Sequence, residues 1–391
     1  MILTSRAVGA GESASIGGSA PSASSLILKA PCSILTSNTS HIAVSERSFE
    51  NVLVVRTDRI GDVVLTLPMV LVLREHLPSS QLSMLLRSYT RDLVEGFLGL
   101  DRIVSYDEGG EHKGFLDMLA ELRAHRFDLV IVSHPTFRIA VLMALARIPV
   151  RVGSGYRWYS FLFNKRVFEH RKTATKHEAE YNISLLEAVG IHSRDVPRVT
   201  LSVPENSNTA AAGQLEGLGI GLSEPFVILH PGSGGSARDW SAESFGDLAR
   251  ALAEDGFKVV VTGSMNERAL VDRVIARSNG SAVAASGKMS LKDLAAFIGR
   301  AQLFVSNSTG PLHIAAAAGT PVIAFYPPIR ECSPVRWGPL TEDKVIFTAD
   351  ANSCPRCKGG PCQGNDCMSQ IMVEAVLRSA RSLLAPKGQS Y

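Results

Sequence analysis

The chain has 391 residues, 45% hydrophobic and 20% charged, with a formal net charge of +3. That length exceeds one ordinary core and favours two domains, while so mild a charge does not mark a nucleic-acid binder. No apolar run approaches the roughly 18 residues that a membrane-spanning helix needs; the longest, Val63 to Leu73, is interrupted by Thr66 and Pro68.

Residues 1–48 are rich in Ser, Gly and Ala, poor in acids and without a sustained period. They lack the continuous apolar stretch of about 7–15 residues behind a charged start that a targeting peptide carries, so a disordered N-terminal extension is expected. Then comes Val52-Leu-Val-Val-Arg56, an apolar run suited to a buried parallel strand. A helical stretch follows from Val63 to Glu75. Strands are predicted at Leu82–Leu86, Ile103–Tyr106 and Leu129–Ser133, with helices such as Phe115–Ala124 between them and His177–Val189 closing the unit.

Ser202–Asn208, polar and carrying Pro204, reads as a linker. A second series of strands is predicted at Phe226–His230, Phe257–Val261, Leu303–Ser306 and Pro321–Phe325. Its helices fall at Ala242–Glu254, Asn266–Arg277, Leu291–Gly299 and Leu312–Ala318. The alternation implies an α/β protein of two Rossmann-like, doubly wound domains, 49–203 and 204–391, facing a cleft. A last helix, Ser369–Leu384, packs either across that cleft or elsewhere.

Three loops follow predicted strand ends, where α/β sheets hold ligands. In Thr57-Asp-Arg-Ile-Gly-Asp62 the final aspartate is either a helix N-cap or a general base. His230-Pro-Gly-Ser-Gly-Gly-Ser236 has small residues that let backbone N–H groups approach phosphate oxygens, with Arg238 nearby as a pyrophosphate clamp. Ser306-Asn-Ser-Thr-Gly-Pro-Leu-His313 runs into an Ala-rich helix, and His313 is either a core histidine or a site residue.

From Arg138 to Lys176 nine Lys and Arg residues face only Glu169, with Trp158, Tyr159 and Phe161 among them. The run is a solvated basic face or a patch for an anionic acceptor or lipid headgroups. Of six cysteines, Cys354, Cys357, Cys362 and Cys367 have spacing compatible with a structural zinc; disulfide or redox pairing and reduced packing remain open.

Over roughly residues 50–385 these motifs, in this order, resemble glycosyltransferase family 9, the ADP-heptose:lipopolysaccharide heptosyltransferases. The resemblance implies a GT-B fold and an inverting transfer with no cofactor or divalent ion needed for catalysis. It implies an acceptor on the N-terminal domain and a nucleotide-sugar on the C-terminal one. Asp62 matches the catalytic base. Ser233 and Gly234 match the phosphate loop, Arg238 stands where many members have lysine, and Glu267 matches the acid on the nucleotide ribose. Thr309, Gly310 and His313 match the second donor loop, while Ser308 replaces an aspartate that contacts the donor. Arg59, Arg138, Arg157, Lys165, Arg166 and His177 are the expected acceptor contacts. The expected partners are ADP-heptose, an anionic glycolipid and the inner face of the cytoplasmic membrane, with a cytoplasmic location and no nucleic acid. A different nucleotide-sugar or acceptor, or a catalytically silent sugar-nucleotide-binding module, are the alternatives.

Overall fold

The computed structural model describes residues 48–235, 238–287, 289–350 and 367–385. Six parallel strands make the first sheet: β1 (Asn51–Val55), β2 (Gln81–Leu86), β3 (Arg102–Ser105), β6 (Leu129–Val132), β7 (Val150–Ser154) and β8 (Lys165–Val167), with a small antiparallel hairpin of β4 (Asp107–Glu108) and β5 (Glu111–His112) apart from it. The second sheet, also parallel, takes β9 (Phe226–His230), β10 (Lys258–Gly263), β11 (Ala282–Ser286), β12 (Leu303–Asn307), β13 (Val322–Tyr326) and β14 (Lys344–Thr348).

Both sheets have the same winding: β3-β2-β1-β6-β7-β8 and β11-β10-β9-β12-β13-β14. Each begins at its centre, grows to one edge and then reverses. The crevice of a doubly wound sheet lies at that reversal, outside the strands' carboxyl ends. It falls beside β1 in one sheet and beside β9 in the other. The central strands are the ones whose apolar runs are unbroken, because both their faces are covered: Val52 to Val55 and Phe226 to Leu229 are all buried.

The differences from the sequence-based expectation have local causes. The helix expected from Val63 is two helices, Ile60–Val64 and Leu67–His76, since Pro68 lacks an N–H and its ring crowds the carbonyl four residues back. The expected linker is half helix, because Glu205–Gly217 starts within it and packs on Leu291–Arg300. The tail helix Val373–Leu384 covers the second sheet, its buried Ala375, Val376 and Ala380 sharing a cluster with Val227, Leu229 and Phe245. Trp240 Nε1 donates to the Ile371 carbonyl at 2.9 Å just ahead of that helix. Residues 1–47 and Cys354, Cys357 and Cys362 lie outside the described residues. Among those described, no helix is long and apolar enough to cross a membrane.

One apolar cluster runs from Val52, Leu82 and Met84 of the first sheet to Ile228, Val260 and Phe304 of the second. Within it the helices Ile60–Val64 and Gly310–Ala318 pack together. Glycine permits the approach: a Cβ on Gly61 would lie 2.8 Å from His313 Cδ2, and one on Gly310 2.9 Å from Ile60 Cβ. Both obstacles are held in place, so neither can yield cheaply. Gly310→Ala should therefore destabilise the fold by about 1–3 kcal/mol, as overpacking does. A lower thermal midpoint against wild type checks this, and an unchanged one refutes the steric argument.

Candidate active site

β1 runs directly into Arg56, whose side chain is 2% exposed. An unpaired guanidinium there costs several kcal/mol. The four residues before it are buried, so the strand carries the guanidinium out of water and partners must be supplied within the fold. They are. Arg56 Nε donates to Asp58 Oδ1 at 2.7 Å, Nη2 donates to Asp62, and Nη1 donates to Glu178 Oε1 and Asn182 Oδ1, each at 3.2 Å. Asn182 also donates to the Leu65 carbonyl at 2.9 Å, which ties the break between the two helices to the same centre. Burial works to lower the Arg56 pKa, but the charges of Asp62, Asp58 and Glu178 outweigh it and hold the guanidinium above its ordinary range.

Glu178 is 1% exposed and held by three arginines. Besides Arg56 it accepts from Arg171, and its Oε2 accepts Arg336 Nε at 3.0 Å and Nη2 at 2.9 Å. Burial alone would raise its pKa, yet Arg171, Arg56 and Arg336 keep it below the ordinary carboxylate range. Asp62 is different. Burial pushes it up to about 6 against the pull of Arg56, with Asp58 and Glu178 adding repulsion. One guanidinium divided among three carboxylates does not offset the burial of Asp62, whereas Glu178, still more buried, has two further arginines. The capping alternative for Asp62 does not hold: Arg59 is the N-cap of Ile60–Val64, and Asp62 sits two residues into that helix with its carboxylate on Arg56.

On the other sheet, β9 ends at His230, and Gly234 and Gly235 of the following loop have φ of +57° and +75°, which side chains rarely adopt. A Cβ on Gly232 would lie 2.0 Å from the Glu267 carboxylate, so this glycine admits the acid beneath the loop. Glu267 Oε1 accepts the Gly234 N–H at 3.1 Å, and Oε2 accepts the Ser264 N–H and hydroxyl, both at 2.8 Å. Burial would raise its pKa, but these donors and His230 lower it on balance. Asn307 fixes the loop from β12, donating to the Pro231 carbonyl at 2.6 Å and accepting the Trp240 N–H at 2.8 Å.

Three cavities meet along this line. One of about 510 Å³ is walled by His230, Ser233, Gly234, Glu267, Thr309 and Gly310 at its polar end and by Met265, Met289, Leu291 and Leu294 at its apolar end. That mixture of polar and apolar lining suits a nucleotide. A cavity of about 240 Å³ is lined by Asp62, Ser308, Thr309, Gly310, His313 and Trp337. The third, about 730 Å³, is lined by Asp62, Arg157, Arg171, Lys172 and the Tyr156–His170 stack, whose ring centroids are 4.0 Å apart. Arg59 lines all three. His313 is buried, which pushes its pKa down to about 3 and leaves a neutral ring; its Nδ1 has no hydrogen-bond partner among the described residues. Arg238 is half-buried and does not line the 510 Å³ cavity.

The sequence model of glycosyltransferase family 9 (heptosyltransferase) matches residues 116–367. The chain belongs to this family. A Haemophilus influenzae protein, named a glycosyltransferase without a stated substrate, is 31% identical over 306 residues, 76% of this chain and 88% of that protein. Lipopolysaccharide heptosyltransferase 3 of Escherichia coli K12 is 28% identical over 300 residues, 74% of this chain and 85% of that one. The crystal structure of a family 9 glycosyl transferase from Veillonella parvula superposes with a TM-score of 0.75 at 25% identity, covering 86% of this chain and 97% of that one. The two facing parallel sheets are the GT-B arrangement of these glycosyltransferases.

The acceptor contacts expected for a family 9 enzyme separate into groups. Arg59 and Arg157 line cavities. Lys165 and Arg166 are exposed on the edge strand β8 and line none of the three. The other two are engaged within the fold. Arg138 turns inward, with Nη2 donating to the Lys113 carbonyl at 2.5 Å and its guanidinium 5.2 Å from the Tyr106 ring centre. His177 has both ring nitrogens engaged: Nδ1 accepts the Ala179 N–H at 3.2 Å, and Nε2 donates to the Gly338 carbonyl at 2.8 Å. Sequence reasoning missed Glu178, Arg336 and His134, whose Nδ1 lies 3.5 Å from Asp58 in the wall of the 730 Å³ cavity, since nothing local marks residues that meet from so far apart. Arg171 and Lys172 were visible within the basic run, but not their place in a cavity wall. Of the four clustered cysteines only Cys367 is described, and it is buried beside Met368 in the second sheet's core.

Replacing Arg56 by Met should cost about 3–5 kcal/mol, because it leaves buried carboxylates without their shared counter-charge. Chemical denaturation measures this, and a loss under about 1 kcal/mol would mean that the surrounding arginines compensate.

Proposed function

We propose that the protein transfers a heptose from ADP-heptose to the inner core of a lipopolysaccharide acceptor of Kdo-lipid A type, with inversion and without a divalent ion. The observation that carries this reading is the place of Asp62, whose carboxylate borders both the 240 Å³ and 730 Å³ cavities. The nucleotide takes the 510 Å³ cavity, with its diphosphate beside the Ser233–Gly234 loop and at the start of the Gly310–Ala318 helix. Thr309 makes no side-chain cap there, so its side chain does not occupy the Gly310 and Leu312 N–H groups; Pro311 between them has no N–H. An acceptor hydroxyl enters from the 730 Å³ side and gives its proton to Asp62. Its oxygen attacks the anomeric carbon from the face opposite the diphosphate, which departs with the bonding electron pair. Arg59, facing all three cavities, meets the developing negative charge, and Arg238 is retained as a second cation beside the phosphate loop. No step needs a metal.

The name of the Escherichia coli relative supports a lipopolysaccharide acceptor. The cavity chemistry supports an anionic sugar: Arg157, Arg171 and Lys172 supply charge, and the Tyr156–His170 pair supplies a flat face. Beyond the cavity, Trp158, Phe161 and Phe168 are 73%, 68% and 61% exposed, on the same stretch as Lys165 and Arg166. Exposed aromatic rings interleaved with cations suit an anionic lipid surface, where the acceptor's lipid part resides.

A base works deprotonated, so with its pKa raised to about 6 the rate should hold above that pH and fall as pH drops through it. Asp62→Asn should reduce kcat on the order of 10²–10⁴-fold and leave ADP-heptose affinity near wild type, while EDTA leaves the wild-type rate unchanged. An ADP-release assay with ADP-heptose and Kdo-lipid A reads all three. Near wild-type turnover by a folded Asp62→Asn protein would remove Asp62 from the chemistry, and ADP-heptose binding without ADP release would leave a binding module. Turnover with another nucleotide-sugar alone would redirect the donor, the position of Ser308 being the first to inspect.

Replacing Arg157, Lys165 and Arg166 together with Gln should weaken binding to anionic vesicles and raise the acceptor KM, with donor affinity unchanged. Each cation near such a surface contributes roughly 1 kcal/mol, so three should lower vesicle affinity about 100-fold. Vesicle co-sedimentation tests this, and wild-type binding by the triple variant would make the run a solvated face.

A further inference from the structure

Residues 330–338, which follow β13 of the second sheet, reach the first half at three points. Arg330 Nε donates to the Thr173 carbonyl at 2.7 Å, the Gly338 carbonyl accepts from His177 Nε2 at 2.8 Å, and Arg336 grips Glu178. The same segment carries Trp337, which lines both cavities that Asp62 borders. Two of these ties end on main-chain carbonyls and would suffice as struts. The third is of another kind, because Glu178 also accepts Arg56 Nη1, and Arg56 Nη2 binds Asp62.

That chain of contacts gives each charge a direction. While Arg336 and Arg171 occupy Glu178, its claim on Arg56 is weakened and its field at Asp62 is screened. If Arg336 withdraws, Glu178 draws harder on Arg56 and faces Asp62 less neutralised. The other groups around Asp62 are fixed by their own elements. Arg56, Asp58 and Arg59 come from its loop, Tyr89 from the Ser88–Val94 helix and the neutral His313 from the Gly310–Ala318 helix; Glu331 lines the smaller cavity. Of the side chains in this ion cluster, Arg336 alone among the described residues comes from the second half.

We propose that Arg336 is a positioning residue: by holding Glu178 it leaves the Arg56 guanidinium to Asp62, so that the base is set only when the 330–338 segment is seated on the first half. The proposal rests on Asp62 as the base and adds the means by which the donor-side half reports its position to that base.

The test follows the Asp62 carboxyl itself in the full-length, substrate-free protein, by ¹³C NMR with aspartate labelled at Cγ and the signal assigned by its loss in Asp62→Asn. In wild type the midpoint is expected near 6. Arg336→Gln should raise it by about 0.5 or more, Arg336→Lys should return it most of the way, and Glu178→Gln should move it down. Turnover with ADP-heptose and Kdo-lipid A should fall about 2–3-fold in kcat for Arg336→Gln at or below about pH 6 and recover above about pH 7.5, with the donor KM little changed, a pH-dependent split that a lost strut in the donor site would not produce. Glu178 is fully buried, so if its variant fails to fold, the Gln and Lys pair at 336 decides. An elevated wild-type midpoint that Arg336→Gln leaves in place overturns the proposal. A wild-type midpoint in the ordinary carboxylate range, or turnover by Asp62→Asn, would instead overturn the assignment of the base.

Discussion

The site is organised around a single guanidinium at the carboxyl end of β1. Arg56 is too buried to stand alone and too fully engaged to satisfy every acid around it. Asp58, Asp62 and Glu178 divide it unequally, and the shares follow from what else each acid holds. Glu178 has two further arginines and stays ionised; Asp62 has none among the described residues and is held at the edge of ionisation. A carboxylate tuned in this way can accept a proton near neutral pH and release it again.

The rest of the fold sets the geometry of that division. The identical winding of the sheets places β1 and β9 at matching reversals, so the ends of the two central strands meet at one crevice. One end presents carboxylates and arginines; the other presents a glycine-rich loop and a helix start. In the proposed transfer the leaving diphosphate and the proton acceptor belong to different halves, and the contact of Gly61 with the Gly310 helix sets how near those halves come. Catalysis by position and fixed dipoles requires that closeness to be reproducible.

Much of this was legible in the sequence where burial is two-sided. Val52–Val55 and Phe226–Leu229 announce central strands, and the loops that follow them carry the residues that line the cavities. The strands β8 and β11 escaped notice because Lys165, Arg166 or a run of alanines gives little apolar signal. The strands β7 and β14 did so because their apolar residues (Val150 and Val152; Val345, Ile346 and Phe347) make only short runs. The basic run from Arg138 to Lys176 misled in a different way. Counting charges says nothing about direction: Arg138 points into the fold, Arg171 into the ion cluster, and Lys165 into solvent. Glu178 and Arg336 are 158 residues apart in sequence, and only the folded chain joins them.

The charges on β8 have one more effect. An open parallel edge offers unpaired N–H and C=O groups to any passing strand, and natural sheets discourage this by placing cations there. Arg102 begins β3, Lys165 and Arg166 lead β8, and Lys344 begins β14, so three of the four sheet edges carry a positive side chain. Copies of the chain that approach edge to edge must bring like charges together. The fourth edge, β11, has only small side chains, and it is there that self-association by strand addition meets the least electrostatic resistance.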